Sequence, residues 1–110
     1  MTIEQLNVVD FTSIDKASGD VWLTITDHLP WDKDEGRHLV LLQSKLNTYL
    51  RFIESGEIFT KVPNAKGRKI VINIFGKFPL SEQATRFLQL ASEASERAGF
   101  RLRFELKQPN

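Results

Sequence analysis

Val21, Leu23 and Ile25 alternate with Trp22, Thr24 and Thr26, the two-residue period of a strand with one buried face. The stretch before it, NVVDFTSID at 7–15, is rich in β-branched and aromatic residues. KASG between the two supplies turn chemistry, so the pair reads as a β-hairpin. From about Glu35 to Ser55 the period lengthens. Leu39, Leu42, Leu46, Tyr49, Leu50 and Ile53 recur three and four residues apart, one stripe of an amphipathic helix that Gly56 is placed to end. Val40, Leu41 and Phe52 lie off that stripe and give the helix a second contact side.

EIFTKV at 57–62 and RKIVINIFGKF at 68–78 then read as a second hairpin with PNAKG as its loop. Ile70, Ile72 and Ile74 alternate with Lys69, Val71, Asn73 and Phe75, and Gly76 marks a bulge or a close approach near the strand end. After Pro79, Ser81 can cap a second helix with the stripe Ala84, Phe87, Leu88, Ala91, Ala94 and Ala98, closed by Gly99. The last strand, FRLRFELK at 100–107, alternates throughout, with Phe100, Leu102, Phe104 and Leu106 inward. The order β-β-α-β-β-α-β predicts one α+β domain over residues 1–110. Its architecture is a two-layer sandwich, a mostly antiparallel or mixed sheet with two helices on one face.

Composition narrows the chemistry. With no Cys among 110 residues, disulfides, thiolate-held metals and Cys nucleophiles are excluded. No basic segment leads into an apolar run at the N-terminus, and the longest aliphatic run, 39–42, is far short of a membrane span. A cytoplasmic protein without a membrane partner is expected. The net charge of +1 is unevenly placed: residues 1–55 hold 5 basic and 9 acidic side chains, residues 56–110 hold 10 and 5. A basic binding surface, or two surfaces that complement each other in an assembly, would give this asymmetry, as would plain solvation of exposed positions.

The densest chemistry is DHLPWDKDEGRH at 27–38, where four acids and two histidines surround a tryptophan. Asp32 followed by Glu35 has the spacing of an N-cap and its reciprocal partner, so the stretch reads first as the start of a helix. The sharper reading is a polar site of Asp27, His28, Asp32 and His38, able to ligate a divalent metal or move protons. No H-x-x-x-H or H-E-x-x-H spacing supports it, so no catalytic, cofactor or metal residue is assigned. No G-x-S-x-G elbow is present, and NAKGRK at 64–69 lacks the second Gly and the K-[ST] of a P-loop.

The strand face away from the helices collects Trp22, Thr24, Val71, Asn73, Phe75, Arg101 and Arg103. Trp, Phe and Arg are enriched in protein interfaces, and a self-complementary patch makes a two-fold dimer the common outcome. Trp22, Val71, Phe75, Arg101 and Arg103 are therefore the interface or ligand candidates. The expected function is a non-enzymatic protein-interaction domain, a homodimer or the partner of another protein. The alternative is a single-stranded nucleic-acid binder that stacks bases on the open sheet. The near-zero net charge and the lack of an RGFGFV-like signature weigh against it. A small-molecule or metal-dependent enzyme at the Asp27–His38 turn comes third. The bland reading of the sheet face is that the chain's own termini or loops cover it.

VWLTITDHLPW at 21–31 and LQSKLNTYLRFIESGEIFTKVPNAKGRKIVINI at 42–74 resemble a family of small uncharacterised bacterial domains of unknown function. That family shows a hydrophobic hairpin, a D-x-L-x-W turn, an L-Q-x-K-x-N-x-Y helix and an E-S-G-E exit. The resemblance spans nearly the whole chain. It implies a single α+β domain and no assigned activity. It also implies roles beyond packing for Asp27, Trp31, Lys45, Asn47 and Tyr49, whose plain roles would be turn capping, core edge and helix surface.

Overall fold

In the computed structural model, which describes residues 11–106, the alternating stretch becomes the second strand of a sheet. β1 (Phe11–Ile14) and β2 (Val21–Asp27) form the expected hairpin, antiparallel with Ser13 opposite Trp22. The turn between them is closed by Ser18, whose hydroxyl and backbone N–H both donate to the Asp15 carboxylate at 2.7 and 3.0 Å. These bonds, formed to the charged oxygen, hold the exposed Asp15 carboxyl below its ordinary pKa. Residues 7–10 and 107, assigned above to strands, lie outside the described residues.

Helix α1 (Glu35–Glu54) follows, then β3 (Ile70–Gly76), helix α3 (Glu82–Arg97) and β4 (Arg101–Leu106). The strands lie side by side in the order β1-β2-β3-β4, with β2–β3 and β3–β4 parallel, so the sheet is mixed. Two parallel steps in the same direction, each crossed by a helix, put both helices over one face under the usual handedness. The core agrees. Val21, Leu23 and Ile25 of β2, Ile72 and Ile74 of β3, and Leu102 of β4 share one buried cluster with Leu42, Leu46, Tyr49 and Phe52 of α1 and Ala84 and Leu88 of α3. This is an α+β two-layer sandwich.

The second hairpin does not form. Residues 57–61 are a short helix, α2 (Glu57–Lys61), and Pro63–Ala65 make one 3-10 turn. The reason is visible in the spacing. Ile58 and Val62 are four apart, a helical interval, and both pack on the core, while Phe59 between them is exposed. Gly56, at φ 82°, turns the chain out of α1 and straight into this second helix. With β2 and β4 on its two sides, β3 has no edge left for another strand.

Gly76 is a close approach, as expected: a Cβ there would stand 2.5 Å from Cε2 of Phe104. Ser81 caps α3, its Oγ accepting from the Ala84 N–H at 3.1 Å. The stripe of α3 is rotated from the expected one, because Ala94 and Ala98 are exposed and Ser95 is buried. Those alanines line an apolar groove of about 320 Å³ between α1 and α3, floored by Ile72 and Leu102. No described helix is long and apolar enough to cross a membrane.

Candidate functional site

The carboxyl end of β2 and the first turns of α1 gather the buried polar chemistry. Asp27, the last residue of β2, is 3% exposed, and His38, one turn into α1, is 2% exposed. His38 Nε2 lies 2.6 Å from Asp27 Oδ2, and its Nδ1 lies 3.2 Å from the Pro30 carbonyl oxygen. The second Asp27 oxygen accepts from the Leu29 N–H at 3.1 Å, tying the carboxylate to the turn that follows. The Trp31 indole stacks on the imidazole, with centroids 3.4 Å apart and planes 13° from parallel. The cluster locks strand end, turn and helix start together.

Of the four residues proposed for a polar site here, the structure brings Asp27 and His38 together. His28 and Asp32 are exposed and stand outside the pair. The capping role expected of Asp32 is corrected. The helix starts at Glu35, and its N-cap is Asp34, in a left-handed conformation at φ 48° with no side-chain cap bond. The anchoring that a cap would give comes instead from the buried His38–Asp27 and His38–Pro30 bonds. Among the described residues no three His, Asp or Glu side chains gather as metal ligands would.

Lys45 and Tyr49 also depart from a simple helix surface. Lys45 is fully buried, and its Nζ sits 5.7 Å from the centroid of the Tyr49 ring. The Tyr49 hydroxyl donates to the Thr24 carbonyl oxygen at 2.6 Å, pinning α1 to β2. Asn47 remains exposed and lines the groove between α1 and α3. Lys45 stands at helical spacing between Leu42 and Tyr49, but a lysine at the margin of an apolar stripe reads as solvated.

The other concentration of unusual chemistry is the sheet face away from the helices. Register aligns Trp22, Val71 and Arg101 in one row across β2, β3 and β4, and Thr24, Asn73 and Arg103 in the next. Phe75 heads the third row, between Thr26 and Glu105. All five interface candidates thus share this face. Arg101 and Arg103 are exposed, whereas Trp22 and Phe75 are half-buried. The centre of the face is not bare, since Val71 is 4% and Asn73 0% exposed. The Arg103 guanidinium lies 5.2 Å from the centre of the Trp22 ring, two strands away, so the two side chains meet above β3 and shade its residues. Beneath them, Trp22 Nε1 and both polar atoms of the Asn73 amide are buried with no hydrogen-bond partner among the described residues. An unpaired buried amide costs about 1–3 kcal/mol.

Neither the curated proteins nor the solved structures include a match to the chain. A family model, described as a family of unknown function (DUF6572), matches residues 1–108, and the chain belongs to that family.

Proposed function

We propose that the protein is a non-enzymatic interaction domain that self-associates through its sheet. The observation that supports this most is the state of the outer sheet face. Exposed arginines flank half-buried Trp22 and Phe75, and an indole N–H and a carboxamide lie buried beside them without partners among the described residues. A face that served packing alone would be better apolar there. Aromatic and arginine side chains beside polar groups are what protein interfaces concentrate. The Asp27–His38 pair favours a structural role over catalysis. It is buried, each partner is engaged, and Trp31 covers the imidazole. The reading places the protein in the cytoplasm, with no cofactor.

Sedimentation velocity over a wide concentration range tests the reading. Wild-type protein is expected to associate reversibly, and Trp22→Ser with Phe75→Ser to give a folded but more monomeric chain. A wild type that stays monomeric at high concentration overturns self-association. Tight, salt-dependent binding of single-stranded RNA by that monomer would install the nucleic-acid reading in its place.

A further inference from the structure

Resting on the reading of self-association, we infer that the partner is a second copy joined edge to edge, β4 against β4, antiparallel and centred on Arg103. β4 ends the strand order β1-β2-β3-β4, so one of its margins has no neighbouring strand among the described residues. It carries no proline, the residue that most simply blocks such a margin.

The backbone at this margin points the right way. The Leu102 carbonyl accepts a long 3.4 Å bond from the Ser92 hydroxyl of α3. The flank of α3 bearing Phe87 and Ala91 faces the groove towards α1, so Ser92 reaches the sheet from the other side, at its free margin. Leu102 therefore turns its backbone groups away from β3. Phe104, two residues on, turns its own in the same direction, because alternate residues of a parallel ladder serve the same neighbour. An antiparallel copy centred on Arg103 sets Leu102 opposite Phe104 of the second chain, and the two exchange both of their outward bonds. The contact repeats across the two-fold axis, giving four backbone hydrogen bonds.

The side chains fit the same register. Arg101, Arg103 and Glu105 are the exposed residues of β4, all on the outer face. Within one chain Arg101 and Glu105 lie about 13 Å apart along the strand, too far to pair. Across the axis Arg101 of each copy stands directly opposite Glu105 of the other. Arg103 would meet its own copy at the axis, a like-charge contact. Its guanidinium is instead drawn back over β3 onto Trp22, which clears the axis. On the inner face Phe104 and Leu106 are only half-buried at the margin, and a continuing sheet would finish covering them.

Two measurements on the full chain test the register. Amide hydrogen exchange should show Leu102 and Phe104 protected only at concentrations where the dimer forms, while Arg103 and Glu105, bonded to β3, stay protected throughout. Arg101→Glu should weaken self-association about tenfold, because it converts two attractive cross-strand pairs into repulsive ones. Adding Glu105→Arg to the same chain should restore it. A dimer that leaves the Leu102 and Phe104 amides exchanging freely, or that the charge swap fails to rescue, overturns the β4 pairing but not self-association. A wild type monomeric at every concentration overturns both.

Discussion

At the scale of single residues, the two aspartates of the 27–38 stretch look alike in sequence and differ in consequence. Asp27 is buried against His38, so Asp27→Ala strands a histidine whose bonds hold the start of α1. We expect a loss of about 3 kcal/mol, the usual result of removing one member of a buried pair. Asp32 is exposed and makes no cap, so Asp32→Ala should change stability by less than about 0.5 kcal/mol. Denaturant unfolding of the two variants checks the contrast, and equal losses would mean that the helix start is held differently. Sequence spacing pointed to Asp32 because capping rules see only local neighbours, whereas the Asp27–His38 bond joins residues eleven apart across a turn. A second residue-scale prediction concerns Asp15. Ser18→Ala removes the side-chain bond to its carboxylate, so the Asp15 pKa should rise towards its ordinary value, as carbon-detected NMR titration would show. A carboxyl depressed in the folded state adds stability above its unfolded pKa and loses it as pH falls through the folded value. The variant should therefore weaken only the acidic-side dependence between those two values.

At the scale of elements, what could be read early was whatever a strict period marks. The β2 alternation, the span of α1, the Ser81 cap and the last strand are where local pattern puts them. But α1 turns His38, Lys45 and Phe52 inward beside Leu42, Leu46 and Tyr49 and leaves Leu39, Leu50 and Ile53 half-buried. EIFTKV was not legible as a helix. Six residues with apolar positions 58, 59 and 62 fit either period, and the choice was made by tertiary packing of Ile58 and Val62. The parallel pairing of β2 with β3 was equally hidden, because nothing local distinguishes a crossover from a return. Gly76 shows how tightly the resulting elements meet. Its missing Cβ leaves room for the Phe104 ring, so Gly76→Ala should force that ring aside and cost about 1–3 kcal/mol. Thermal unfolding is the check. A neutral outcome would mean that β3 and β4 close less tightly at this end than the register implies.

At the scale of the whole molecule, the candidates on the outer sheet face were placed by alternation alone, but their state was not. Alternation cannot say that Arg103 leans across β3, or that the Asn73 amide lies buried without a partner among the described residues. That amide carries a cost the isolated fold does not need. Asn73→Val should raise the stability of the monomer by about 1 kcal/mol, because a β-branched apolar side chain replaces an unsatisfied one in a strand. A large loss on chemical denaturation would show that the amide is bonded after all. Self-association requires that this sheet make a contact between copies. The most direct test is the molar mass of the wild-type chain in solution, followed by light scattering as concentration rises. Self-association gives a climb from the 12.6 kDa of one chain towards twice that value, reversed on dilution. A mass that stays at one chain at every concentration would contradict it.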